Sequence, residues 1–264
     1  MKILLTFADI KLIRFKFTPA EATISFIDRT PDETKIMSKK IEIIPAILPK
    51  DFAELEEKTG LLDGLVKTVQ IDVCDGSFTP KASWPYRKND DYFEKITSEE
   101  QGMPCWETLN YEFDLMVNNP EKVVEQWLIA GATRIAIHAE AKGDITKTIT
   151  SLVGCVEIGL ALNVDTPLGT IVGFKDNIQF LQCMGIEDIG FQGQKFDTRV
   201  INRIKRLREM FSDLIISVDG GVSFENAQEL ISAGADRLVI GSAIWNSDNI
   251  VEMIRKFQRL VRVA

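Results

Sequence analysis

Three aspartates, Asp72, Asp114 and Asp219, each stand in or just behind a short run of β-branched and aliphatic residues. Alternate residues of such a run share a face. Asp72 is the last residue but one of VKTVQIDV, with Gln70 two residues earlier on its face, and Asp75-Gly76 makes the turn behind it. Asp114 lies in YEFDLMV, in step with Glu112 and Met116. His138 and Glu140 share a face at the end of TRIAIHA, Asn163 ends GLALNV, and Asp219 follows LIISV. A single aspartate of this kind reads more often as a turn residue or a helix cap. Three on separate strands, converging on one mouth, are the better reading as a site of catalysis, carboxylates being groups that exchange protons.

Glycine-bearing turns are the second feature. Asp219-Gly220-Gly221 precedes a helical pattern opening near Ser223, and Ile240-Gly241-Ser242-Ala243 opens another. Gly190-Phe191-Gln192-Gly193-Gln194 supplies a third set of amides. Glycine lets backbone N–H groups approach an anion, and a helix N-terminus adds a favourable dipole. Each turn alone is explained by tight-turn geometry; three in adjacent loops indicate a phosphate site.

The elements that must position these groups alternate along the chain. Strand patterns IEIIPAIL, VKTVQIDV, YEFDLMV, TRIAIHA, GLALNV, IQFLQCM, LIISV and DRLVI are separated by helical patterns such as DFAELEEKTGLL, NPEKVVEQWLIAGA, DTRVINRIKRLREMF and SFENAQELISAGA. Asn119 before Pro120, Asp197 and Ser223 are expected N-caps, and Gly131 and Gly234 expected stops. Eight strands, each followed by a helix, predict a single closed (β/α)8 TIM barrel, with active residues at the C-terminal strand ends and phosphate near the last two loops. An open doubly wound sheet is the rival, but the first strand ends IPAILPKDF where a GxGxxG turn would favour it. Residues 37–264 form the expected barrel, 228 residues for eight units. Residues 1–36 are an expected N-terminal extension, either a hairpin closing the barrel bottom or an over-extended start before Met37. Residues 77–110 are too long for a simple loop and helix, and read either as a lid over the mouth or as a packed surface excursion.

The 264 residues carry 31 Lys+Arg and 39 Asp+Glu, a net charge of −8, which disfavours nucleic acid and anionic membrane as partners. A small anion is still allowed, since it needs only local backbone donors. Four scattered cysteines and one histidine argue against a thiolate or Cys/His zinc site and against a disulfide frame. No apolar run approaches the ~18 residues of a membrane span. The opening MKILLTFADIKLIRF is broken by Asp9, Lys11 and Arg14, unlike a signal peptide. A soluble, cytoplasmic protein is the expectation.

At this point the chain resembles the ribulose-phosphate 3-epimerase family of the pentose phosphate pathway. IPAILPKDFAEL, QIDVCDGSF, FDLMVNNPEK, AGATRIAIHAEA, GLALNVDTPL, GFQGQKF, ISVDGG and AGADRLVIGSAI match in order over about 220 residues. The resemblance implies a barrel of the ribulose-phosphate-binding type and an isomerase. Two aspartates, matched by Asp72 and Asp219, exchange a proton on opposite faces of the sugar C3 through an enediolate. In that family a divalent metal held by those aspartates and two histidines polarises the neighbouring carbonyl. Gly193, Gly220, Gly221, Gly241 and Ser242 match the phosphate cradle, and Met116 and His138 are candidate substrate contacts, although a lone histidine on an inward strand face is more often a hydrogen-bonded core residue. The resemblance also implies a homo-oligomer.

Gln70 stands where the family has the first histidine ligand, and Asp114 where it has the second. Ala46 replaces a serine, IGFQGQ stands for PGFGGQ, and Val164-Asp165 for Pro-Gly. With Gln70, Asp72, Asp114 and Asp219 as the metal set, the donors are all oxygen, which suits Mg2+ or Mn2+ over Zn2+. Two other classes compete: a phosphosugar lyase, decarboxylase or aldolase on the same barrel, and a non-catalytic sugar-phosphate binder. Asp72-Val73-Cys74 lacks the Asp-x-Lys pair of hexulose-phosphate synthases, and no lysine ends a strand for a Schiff base.

Overall fold

A computed structural model of the chain describes residues 41–87 and 90–263, with backbone only at 262 and 263. The expected extension over 1–36 lies outside the described residues. Among the described residues the order is β1 (Glu42–Ile47), α1 (Phe52–Leu62), β2 (Thr68–Cys74), α2 (Tyr92–Thr97), β3 (Asn110–Met116), α3 (Val124–Ile129), β4 (Ala132–His138) and α4 (Ile145–Leu152). It continues with β5 (Glu157–Leu162), β6 (Phe180–Met184), α5 (Arg199–Met210), β7 (Ile215–Asp219), α6 (Phe224–Ala233), β8 (Arg237–Ile240), α7 (Ser242–Trp245) and α8 (Ile250–Val263). The eight strands are parallel and close into a barrel. The seam runs from Glu42 opposite Arg237 to Pro45 opposite Ile240. No described helix is long and apolar enough to cross a membrane.

Parallel strands covered on both faces must be apolar on both. The outward residues of β2 to β4, Ile71, Val73, Phe113, Leu115, Ile135 and Ile137, are buried in the large core under the helices, with Leu55, Trp127, Ile204, Leu230 and Phe257. Two small clusters fill the interior, Ile44 with Ala46 and Val239, and Ala136 with Ala161 and Phe180. Gly159 makes the second one fit: a Cβ there would stand 2.2 Å from Phe180 Cζ.

The helix boundaries follow local chemistry, with three departures from expectation. Asp51 caps α1 by accepting the Glu54 N–H at 3.0 Å, and Asn226 Oδ1 accepts the Ser223 N–H at 2.8 Å at the start of α6. Gly131 (φ 93°) and Gly234 (φ 116°) take the left-handed stops. Asn119, however, is itself left-handed (φ 53°) and makes no side-chain cap, its N–H being taken by the Lys142 carbonyl at 2.5 Å. Asp197 lies one residue early: Thr198 is the N-cap of α5, and Asp197 Oδ1 accepts the Arg199 N–H instead. After β5 the chain makes only a 3-10 turn, Leu168–Gly173, where an α-helix was expected.

The long connection after β2 divides into two parts. Asp75 ties its start to the loop after β3, accepting from the N–H groups of Ser77 and Phe78 at 2.7 Å and of Asn118 at 2.8 Å. Phe78 reaches the C-terminal end of β4, its ring 5.2 Å from that of His138. Farther along, Trp84 and Phe93 pack outside the β2–β3 wall against Trp127. Trp84 is fully buried, 5.5 Å from Phe52 and 6.4 Å from Trp127, which meets Phe113 of β3 at 4.6 Å.

Candidate active site

The register of β2 on β3 sets Asp72 directly opposite Asp114, and strands about 4.8 Å apart leave two inward carboxylates side by side. Asp219 arrives from β7 across the barrel. One carboxylate oxygen from each lies within 4.8 Å of the other two, a spacing at which one metal ion could be held. Beneath them, Gln70 Nε2 donates to both Asp72 Oδ1 (2.8 Å) and Asp219 Oδ2 (2.7 Å). Gln182 Nε2 on β6 reaches Asp219 Oδ2 at 3.4 Å. Gln70 Oε1, Asp114 Oδ2 and Gln182 Oε1 are buried without a hydrogen-bond partner. Orphaned buried oxygens are uncommon, and here three belong to residues of the carboxylate cluster itself.

The electrostatics follow from burial and crowding. Burial, then the neighbouring Asp219 and Asp114 carboxylates, push Asp72 well above the usual carboxylate range. Burial and the Asp114 carboxylate push Asp219 up to about 7. Asp114 is bound differently, its Oδ1 lying 3.0 Å from His138 Nε2. Burial opposes the imidazolium, but Asp114 outweighs it and His138 rises to about 10. Behind it, His138 Nδ1 faces Glu140 Oε2 at 3.7 Å. Burial would raise Glu140, but hydrogen bonds from His138 and Thr166 hold it below the usual range.

Asp72, Asp219, Met116, Gly193, Gly220, Gly221, Gly241 and Ser242 all line one cavity at the mouth. Gly220 (φ 100°) and Gly221 (φ 66°) have left-handed backbones, and a Cβ on Gly221 would meet Phe196 Cα at 2.8 Å. The turn that presents their amides is therefore closed to other residues. Gln70 and His138 do not line this cavity. Asp72 and Asp219 each keep 8% exposure, whereas Gln70, Asp114 and His138 keep none. The first two can touch a ligand from above, while the others act on it from below. Gln182 was not anticipated. Its signal was a lone amide in step with Phe180 and Met184 inside an apolar strand. Phe78 gave no signal, since its place depends on the fold of a long loop.

The fold and this arrangement define a closed (β/α)8 barrel of the ribulose-phosphate-binding type. The Ribulose-phosphate 3 epimerase family matches residues 42–245. The chain belongs to that family and is an epimerase-like isomerase acting on carbohydrates. It is 33% identical to ribulose-phosphate 3-epimerase of Bacillus subtilis, over 79% of this chain and 94% of that one. The enzyme of that name from Buchnera aphidicola is 30% identical, over 82% and 94%. Among solved structures, 3-hexulose-6-phosphate synthase from Salmonella typhimurium (TM-score 0.62, 15% identity, 84% and 99% covered) shares the fold. So does KGPDC from Streptococcus mutans (0.62, 14%, 85% and 98%).

Proposed function

We propose that the protein epimerises a ketopentose 5-phosphate at C3, with Asp72 and Asp219 as the proton-transfer pair. The observation that carries this is their placement on β2 and β7, facing one cavity and joined by the Gln70 amide. One carboxylate takes the C3 proton from one face, and the other, already protonated, delivers a proton to the opposite face. Such a pair needs one proton between its members near neutral pH, and burial with mutual repulsion supports that state. The amides of Gly193, Gly220, Gly221, Gly241 and Ser242 hold the phosphate, aided by the N-terminus of α6. Met116 borders the sugar. His138 holds Asp114 in place without reaching the substrate, and Phe78 covers the mouth as the lid part of residues 77–110.

The donors available to a metal are Asp72, Asp114, Asp219 and the free Gln70 Oε1. All are oxygens, a fit for Mg2+ or Mn2+. A divalent ion bound there would polarise the carbonyl next to C3. The four residues set its place; Gln70 turns its oxygen inward only if its amide leaves the carboxylates.

The test is solvent deuterium uptake into ribulose 5-phosphate, followed by NMR on metal-stripped protein and after separate addition of Mg2+, Mn2+, Fe2+ and Zn2+. Exchange at C3 with Mg2+ or Mn2+, lost in Asp219→Asn, is the expected result. Binding of the sugar phosphate without exchange under any metal, or carbon–carbon cleavage of a phosphosugar acid, would overturn the assignment.

A further inference from the structure

Beside the phosphate cavity lies a second one of about 250 Å3, between the loops after β1, β2 and β6. Lys50, Lys81 and Arg87 line it, and no carboxylate does. In a chain of net charge −8, that is a local reversal of sign. Among the described residues none of the three side chains has a carboxylate within 4.0 Å. Glu54, nearest in sequence to Lys50, is held by Lys58 at 2.8 Å and by the Lys50 backbone N–H.

The two cavities share a wall. Gly190, Phe191 and Gln192 border both, so a molecule in the phosphate cavity is one loop away from the cations. Lys81 is drawn toward that wall, its ammonium 4.8 Å from the Phe191 ring centre. The loops carrying them also touch, since a Cβ on Gly190 would meet Thr79 Cβ at 2.7 Å. The second cavity is smaller than the roughly 300–1,000 Å3 of a site for a whole organic ligand. Its size suits a substituent, and its cations suit an anionic one. A guanidinium pairs with phosphate or carboxylate through two parallel N–H donors, with an ammonium beside it.

We infer that the basic cavity lined by Lys50, Lys81 and Arg87 takes a second anionic group of the ligand, so that the preferred ligand is a doubly anionic phosphosugar. This rests on the phosphosugar reading above and deepens it by naming the substrate class. The shared chemistry is a phosphate or carboxylate borne by the same molecule whose first phosphate sits on the glycine turns.

The test is calorimetric titration of the protein with ribulose 5-phosphate, ribulose 1,5-bisphosphate and 5-phosphoribonate, repeated on the Lys81→Gln/Arg87→Gln double variant. Both substituted side chains are exposed, so the double variant is expected to fold. The bisphosphate or the phosphosugar acid should bind about tenfold more tightly than the monophosphate, the scale of two partly exposed charge-assisted contacts. Which of the two gains tells phosphate from carboxylate. The double variant should erase that gain and leave monophosphate affinity unchanged, while Lys81→Arg should keep most of it. Equal affinity of the wild type for all three compounds would overturn the inference and leave the phosphosugar reading standing. An equal loss for all three in the double variant would also overturn it, because the cations would then serve any approaching anion. Failure of every compound to bind would sink both readings.

Discussion

The barrel holds a cluster of buried charge at each end, and the two are built on opposite plans. At the N-terminal end, inward side chains from β1, β3, β4, β5 and β8 form a closed ionic net. Arg134 reaches Glu42 at 3.0 Å, Glu157 at 3.2 Å and Glu112 at 3.3 Å, and Arg237 reaches Glu157 at 2.6 Å. Phe180 closes the net from within, its ring 5.0 Å from the Arg237 guanidinium. At the C-terminal end three carboxylates meet two primary amides and one imidazole. Guanidinium cannot shed its charge, so the two arginines give the three lower glutamates partners that cannot leave. The upper cluster has only exchangeable compensation: protons, the imidazolium, or a cation from solution. Buried charge with fixed partners serves structure, whereas buried charge balanced by something that can leave serves chemistry.

The sharpest way to break this contrast is at the top. Asp72→Asn or Asp219→Asn should lower C3 proton exchange by about a thousandfold or more, the scale of a lost acid–base group plus its electrostatics. Neither should destabilise the metal-free fold in urea, because each removes a carboxylate from a crowded buried set. A loss of stability in both would mean that the upper cluster, too, is structural.

At the bottom the opposite is expected. Arg134→Met strands Glu112 and weakens the hold on Glu42 and Glu157, and should cost about 3–5 kcal/mol in urea unfolding, as for other buried pairs broken from one side. Exchange per folded molecule should change little. A smaller effect comes from the layer between the two. Gly159→Ala drives a methyl into Phe180 and should cost about 1–3 kcal/mol, partly restored by Phe180→Leu.

The mildest test is the pH dependence of stability in metal-free protein. Asp219 has a folded value of about 7, above the ordinary aspartate value near 3.9. Between those values the folded state holds a proton that the unfolded state lacks. Stability from this group is therefore full below about pH 4 and is lost as pH rises through about 7. Glu112, which burial pushes up to about 7 against the pull of Arg134 and Arg237, acts in the same direction. Asp219→Asn should flatten the slope only in part and Glu112→Gln should remove a further share. A profile unchanged by Asp219→Asn would refute the titration scheme at the upper end, and one unchanged by Glu112→Gln would refute it at the lower.

Much of the fold was legible because parallel strands and amphipathic helices announce themselves by period. All eight strands lie where the β-branched runs predict them, within two residues at either end. Period says nothing about what a short element does with a spare polar group. Asn119 was read as a cap from its type, yet the Lys142 carbonyl claims its N–H from the next βα loop. The acidic and glycine motifs marked Asp72, Asp114, Asp219 and the amide turns because strand parity alone puts them inward at one rim. Gln70 and His138 were placed on the right face. Their roles below the carboxylates depended on depth, which parity does not give.

By itself the sequence determined the alternation of elements, the inward faces and the rim on which the three aspartates and the glycine turns gather. Those follow from local stereochemistry and from the one-handed winding of parallel units. Only the tertiary structure decided that the Gln70 amide joins Asp72 to Asp219, that His138 answers to Asp114, that Arg134 and Arg237 pair with the glutamates of the lower end, and that Lys50, Lys81 and Arg87 share a cavity. Each of these arrangements brings together residues from separate strands or loops. Their distances are set by the register at which eight strands close, a property of the whole barrel and of no segment within it.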